Sequence, residues 1–376
     1  MHCCSAPVLD GVEGSSNPLP EMSKEMRDGS NVSSEGLVVT EQNPDAVEMW
    51  DRFISGLDGA TYCHRQEWKQ IVEAAYSLDA RQIYVFLGSE CVAVFPVVVM
   101  PKLPGQAEWA VSQAFCNYGD ILIKPGNDPD ALRTACLQYL ARQGVHKVEV
   151  RHKDDTPGEA TEVTLILALP HAAEDLWRRV GDKARNQVRK AEKKGLTAQW
   201  GREQVDELYD VYAANMGRLG TPVHARAFFV AIVREFGEDA DVLTVRLAGK
   251  VVGAMLLLKH GATWADPFAS SLPGYQQYNP NMLLYWEALR IACERGAKFF
   301  DFGRSKSGSG TDKFKRQWGA MPYPLDYRTY IDGVAHGAAS TTLYRSSAGK
   351  MVSDMWRYLP SWAQLRLGPM VRRYIP

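Results

Sequence analysis

Apolar residues recur at helical spacing over 46–57 and 66–76, which predicts two amphipathic helices. Two β-rich runs follow, 82–87 and 92–99, separated by Gly88-Ser89-Glu90, a turn composition that predicts a hairpin. Strand-like stretches at 109–114 and 120–123 come next. An amphipathic helix over 128–143 then closes on Gly144 and leads into a strand at 147–151. The same order returns downstream. Helices at 203–216 and 225–236 precede strands at 242–247 and 251–260, which turn at Ala248-Gly249-Lys250. A strand at 263–269, a helix at 281–295, Gly296 and a strand at 298–302 complete the copy. The closing segments, Arg142-Gln143-Gly144-Val145-His146-Lys147-Val148 and Glu294-Arg295-Gly296-Ala297-Lys298-Phe299-Phe300, share chemistry. The pattern predicts a duplicated α/β (α+β) domain, each copy a mixed, mostly antiparallel sheet with one helical crossover. Two unrelated α/β domains are the alternative.

Composition narrows the class. The 376 residues are 45% hydrophobic and 23% charged, enough for a core of ordinary size. A net charge of -1 argues against a strongly basic nucleic-acid protein. Segments 1–36 (acidic and Ser/Gly/Pro-rich, expected to be disordered), 37–170, 171–332 and 333–376 divide the chain, the third opening with a basic helix at 183–195. Cys91, Cys116, Cys136 and Cys293 sit in apolar runs without paired spacing, and read as core thiols of a reducing compartment. The first residues carry no basic n-region and no apolar h-region. The longest uncharged apolar run, 91–101, is about half of the ~20 residues that span a bilayer. The expected location is cytoplasmic. In 341–376, Arg345, Lys350, Arg357, Arg366, Arg372 and Arg373 face Asp354 alone and alternate with Leu, Met and Trp. Such a tail either packs on the rest of the chain or makes peripheral contact with the inner membrane surface.

Two stretches carry candidate chemistry. Arg185, Asn186, Arg189 and Lys190 lie in a helix-like run ending at Gly195. It is either a stripe able to hold phosphates or a solvated basic face. The second stretch runs from Phe300 to Gly319: a strand ending at the cation Arg304, a Gly/Ser loop with Gly308 and Gly310, and a short helix capped by Thr311. Glycine-rich loops and helix starts offer N–H groups to anions, and Arg304, Lys306, Lys313 and Lys315 add positive charge. No G-x-S-x-G, H-E-x-x-H or G-K-[ST] motif is present, and no metal set is expected. His64 beside Cys63 reads as structural rather than as a dyad. Asn117 and Tyr118 read either as a groove lining or as a turn with a buried Tyr.

These motifs resemble a known family. Arg185-Asn186-Gln187-Val188-Arg189-Lys190-Ala191-Glu192-Lys193-Lys194-Gly195, Leu219-Gly220-Thr221-Pro222, Asp301-Phe302-Gly303-Arg304-Ser305 and Phe314-Lys315-Arg316-Gln317-Trp318-Gly319 are similar to motifs of FemAB-like proteins. The tail from Leu359-Pro360 to Gly368-Pro369 resembles the branch associated with PEP-CTERM/exosortase systems. The resemblance spans 37–376 and implies two tandem GNAT-like domains. It also implies N-acyl or aminoacyl transfer to an amine of a cell-envelope precursor, peptidoglycan or exopolysaccharide, with charged tRNA as donor. Acyl-CoA is the alternative donor, and a non-catalytic binding protein is the alternative of another class. No tightly bound cofactor is implied. By this resemblance Phe314 and Lys315 serve the acyl donor and its oxyanion, while Arg185, Arg189 and Lys190 hold a phosphate. Ordinary GNAT enzymes cradle the CoA pyrophosphate on a glycine-rich turn opening the crossover helix. Here that turn reads Leu272-Pro273-Gly274-Tyr275-Gln276-Gln277-Tyr278-Asn279-Pro280, so weak acetyl-CoA binding is expected. Lys315 and Arg304 are expected to converge on one anion. Asp301 is the weaker candidate base, expected to pair with a cation.

Overall fold

The β-rich runs pair as the turns predict. In the computed structural model, which describes residues 36–41, 46–101, 108–338 and 347–376, the first half runs β1 (Leu37–Thr40), α1 (Ala46–Ser55), α2 (Gln66–Tyr76), β2 (Asp79–Leu87), β3 (Glu90–Met100), β4 (Trp109–Val111), β5 (Leu122–Ile123), α3 (Pro129–Arg142) and β6 (Lys147–Lys153). A connecting stretch, β7 (Glu162–Ala168), α4 (Ala173–Arg179) and α5 (Asp182–Lys193), leads on. The second half is β8 (Leu196–Trp200), α6 (Val205–Leu219), α7 (Arg226–Phe236), β9 (Ala240–Leu247), β10 (Lys250–His260), β11 (Thr263–Ser271), α8 (Pro280–Glu294), β12 (Phe299–Lys306), α9 (Gly310–Arg316) and β13 (Met321–Ile331). After it come β14 (Val334–Ala338), α10 (Ser347–Arg357) and α11 (Ser361–Arg372). The expected tail 1–36 lies almost wholly outside the described residues.

Each half contains one parallel strand pair, as a helical crossover requires: β4 beside β6 around α3, and β11 beside β12 around α8. Both pairs are short. β11 and β12 are in register only over Thr263–Ala265 and Phe299–Asp301, then separate. The crossover helices start where the sequence signals them. Asp128 caps α3 through the N–H groups of Asp130 and Ala131, with Pro129 at the first position.

Strands β7 and β13 escape the sequence pattern and join the halves. β7 lies inside the segment 37–170, yet it pairs with β12 and β13 rather than with its chain neighbour β6. β13 spans both partners: Met321–Pro324 pair with β7, and Leu325–Ile331 pair with β6. The outcome is one continuous sheet in the order β1-β2-β3-β4-β6-β13-β7-β12-β11-β10-β9-β8. The expected end of the strand at Arg304 is also corrected. Gly303, at φ +73°, makes a bulge, after which β12 resumes along β7 to Lys306.

The core divides by sheet face. On one face α2 of the first half packs against α7 of the second, burying Trp68, Ile71, Phe228, Phe229 and Phe268 together. On the other, α4, α5 and α8 cover Phe300, Phe302, Leu165 and Trp264. The small apolar face of α5 (Ala184, Val188, Ala191) is buried there, so its cations point outward. Cys63, Cys91, Cys116, Cys136 and Cys293 are free, buried thiols. Within 333–376, the described residues form β14, which pairs with β13, and two helices that pack on the rest of the chain. α10 and α11 lie on α6, Trp356 is buried, and Arg372 Nε donates to His224 Nε2 at 2.9 Å.

Candidate active site

Where β11 and β12 separate, residues of both halves meet. A small pocket there is lined by Tyr62, Cys63, Asn117 and Tyr118 from the first half, and by Ala265, Asp266, Pro267, Asp301 and Gly303 from the second. Tyr118 is buried, as the turn reading has it, and its hydroxyl donates to Asp301 Oδ2 at 2.7 Å. Burial, reinforced by the Asp301 charge, pushes the Tyr118 phenol well above its usual range. Asp301 accepts further bonds at Oδ1 from Thr164 Oγ1 (2.6 Å) and from the Gly303 N–H (2.8 Å). Neutral donors thus satisfy Asp301, and the expected pairing with a cation is not what holds it.

Lys315 is brought back to the bulge of β12 by α9 and is buried. Its Nζ donates to the carbonyls of Gly303 (2.9 Å) and Arg304 (3.0 Å), which leaves one of three N–H donors. Arg304 is exposed, and the bond that links it to Lys315 is the one its own carbonyl accepts. Burial lowers the Lys315 pKa, and the charges of Asp266 and Asp301 oppose that shift. Asp266 is the residue the sequence reading missed. It is 5% exposed, and neither carboxylate oxygen has a well-formed hydrogen bond among the described residues. Burial raises its pKa well above the usual carboxylate range, opposed first by Lys315 and then by the Tyr285 hydroxyl. The available signal was a lone acid inside the apolar strand run Trp264-Ala265-Asp266-Pro267-Phe268.

The other predicted residues are placed as follows. Phe314 packs edge-on against Tyr285 at 5.0 Å and lies near Trp318, forming an aromatic wall beside Phe302. The glycine loop does not present free N–H groups throughout. Gly308 N–H is bonded to Asp312 Oδ2 (3.0 Å), so a resident carboxylate takes the place expected for an anion. Gly310 opens α9, which is capped by Ser309 Oγ rather than by Thr311. Arg185 is held by Asp182 and by the Trp177 and Arg178 carbonyls, and Arg189 lies over the Trp177 ring at 5.5 Å. Asn186 and Lys190 are exposed. The α5 cations and the pocket are therefore not brought together by any bond described. His64 is structural: its ring bonds Thr61 and the Asp120 carbonyl.

The turn before α8 is occupied by its own bonds. The N–H groups of Leu272, Gly274, Tyr275, Tyr278 and Asn279 go to Val252 O, Gln276 Oε1, Leu272 O, Tyr275 O and Gln276 O. Lys194 Nζ donates to the Gln277 carbonyl.

Residues 178–316 match the family described as acetyltransferase (GNAT) domain. Among solved structures, the chain is similar to FemX, with 13% identity and a TM-score of 0.59 over 82% of this chain and 99% of that one. It is also similar to a tandem GNAT protein from the clavulanic acid biosynthesis pathway (11% identity, TM-score 0.49, covering 79% and 98%). L-PGS from Bacillus licheniformis matches at 14% identity and a TM-score of 0.47, covering 89% and 98%. No curated protein matches the sequence. With one parallel crossover pair in each half of a mixed sheet flanked by helices, the chain has the GNAT fold.

Proposed function

We propose that this protein is an N-acyltransferase whose reaction runs at the splay between β11 and β12, with an aminoacyl-tRNA-type donor and an amine of a cell-envelope precursor as acceptor. The observation that carries the reading is the buried pair at that splay, Lys315 beside an Asp266 lacking a well-formed partner. Attack of an amine on an ester carbonyl forms a C–N bond and an oxyanion, and needs a sink for the amine proton. Lys315 supplies the positive charge for the oxyanion from a largely buried position. Asp266, with its raised pKa, accepts the proton and returns it to the leaving alcohol oxygen as the C–O bond breaks. Asn117 and Phe314 flank the acyl group, and Arg189 and Lys190 on α5 contact donor or acceptor phosphates.

The turn before α8 supports this donor over acyl-CoA, because most of the N–H groups a pyrophosphate would need are already bonded. In the first half, Asp128 and Asp130 occupy the corresponding helix start and repel phosphate. The similarity to FemX supports an acyl or aminoacyl transferase on this fold, and leaves the donor to the experiment. Calorimetric titration with acetyl-CoA and, separately, with aminoacyl-tRNA tests it. Binding of the charged tRNA and none of acetyl-CoA is expected. Micromolar acetyl-CoA affinity, lost when Gly274-Tyr275-Gln276 is altered, overturns the donor assignment.

A further inference from the structure

Among the described residues, exposed apolar side chains cluster on the two C-terminal helices. Met351 (60%), Met355 (64%) and Tyr358 (89%) are exposed on α10 and the turn after it, and Trp362 (70%), Leu365 and Met370 (62%) on α11. Spacing puts Met351, Met355 and Tyr358 on one face at the end of α10, and Trp362 and Leu365 on one face of α11, whereas Met370 lies two turns beyond buried Ala363. The opposite faces are the ones packed on α6 and its neighbouring loop, through buried Trp356, Ala363 and Gly368. The hairpin is anchored as well as exposed. Arg372 reaches His224, Arg357 donates to the Leu219 carbonyl, and Gly368 lies so close to Val223 that a Cβ would meet it at 2.7 Å.

We propose that the α10–α11 hairpin docks the protein on an anionic lipid surface. Charge decides the occupant. Arg357 and Arg366 are exposed beside the apolar stripe, Arg372 and Arg373 are half-buried, and the one acid of the hairpin, Asp354, is already paired with Arg357. A basic rim around Trp, Tyr, Met and Leu suits a headgroup layer above acyl chains. A second copy docked stripe to stripe would instead bring like charges such as Arg366 together. No helix among the described residues is long and apolar enough to cross a membrane, so the contact is peripheral.

The experiment is co-sedimentation of the full chain with vesicles of phosphatidylcholine alone, and with vesicles holding about one-third phosphatidylglycerol. Partitioning at least about tenfold stronger onto the anionic vesicles is expected, weakening as salt rises. Trp362→Glu with Leu365→Glu, both exposed in the fold, lowers it about tenfold or more. Arg366→Glu leaves the stripe intact and lowers the anionic-to-neutral ratio, so it carries the test if the double variant melts early. Equal binding of wild type and both variants, or no binding to anionic vesicles, overturns the proposal. A dimer in sedimentation velocity that the double variant dissolves, without vesicle binding, assigns the stripe to a second copy instead.

Discussion

At the scale of single residues, Lys315 has two separable duties. Its ammonium braces the Gly303 and Arg304 carbonyls at the bulge of β12, and it supplies charge to the proposed oxyanion. Lys315→Ala removes both. Turnover on a verified substrate falls roughly 100-fold or more, and stability falls by about 1–3 kcal/mol as the carbonyls lose their donor. Lys315→Arg restores only part of the rate, because a planar fork does not fill a point-charge position. Near-normal turnover of Lys315→Ala would remove Lys315 from the chemistry. As the proposed base, Asp266 should govern the pH dependence. A base must be deprotonated to act, so its raised pKa moves the acid limb of the rate profile upward from the ordinary carboxylate range. Asp266→Asn should abolish that limb together with most of the rate. An unchanged limb would point to another base. His64 makes a separate contribution to stability. Burial lowers its pKa from 6.5 to about 4, so the folded chain binds fewer protons than the unfolded one between those values. This contribution is fully present above pH 6.5 and is lost as pH falls toward 4, on the order of 3 kcal/mol in all. Urea midpoints measured from pH 7 to pH 4 should decline, and His64→Gln should reduce the slope.

At the scale of elements, the legible parts are those whose partners lie next door in the sequence. The β2–β3 and β9–β10 hairpins, α2, and the capped start of α3 all follow from period, turn residues and a cap. β13 was illegible for a physical reason. Met321-Pro322-Tyr323-Pro324 interrupts the alternation, and each of its partners is remote in sequence. The site follows the same rule. Lys315 and Phe314 were readable from a contiguous motif, whereas Asp266 becomes a site residue only when β11 separates from β12. The bulge at Gly303 is the element that sets this geometry. Its φ of +73° lies in the left-handed region, and an added Cβ would meet Asn117 Nδ2 at 2.8 Å. Gly303→Ala should therefore destabilise the chain by roughly 1–2 kcal/mol from backbone strain alone, and displace Asn117 from the pocket. Thermal unfolding checks the first effect, and a fall in kcat with an intact fold checks the second. Unchanged stability would mean that the bulge relaxes.

At the scale of the whole molecule, the exchange of β7 and β13 makes the halves interdependent. β6 has β13 as a seven-residue partner, and β7 is held between β12 and β13, so a fragment covering 37–170 would carry one open edge and one unpaired strand. It would also expose the face of α2 that holds Trp68 and Ile71 against α7, both fully buried in the whole chain. Burying a side chain of that size contributes about 1.5–3 kcal/mol, so losing several such contacts approaches the entire stability of an ordinary domain, about 5–15 kcal/mol. The fragment 37–170 should therefore show no cooperative unfolding. The full chain should unfold in urea with tryptophan fluorescence and far-ultraviolet circular dichroism coinciding, as expected of one cooperative unit. Duplication alone predicts the opposite, since two copies joined end to end could each close their own sheet. Two separated transitions in the full chain, or a sigmoidal transition in the fragment, would mean that the shared strand contributes little to either half. The pocket would then lie between two independently stable bodies. Coincident transitions would instead tie Tyr118, on one half, and Asp301, on the other, to a single folding event that assembles the site.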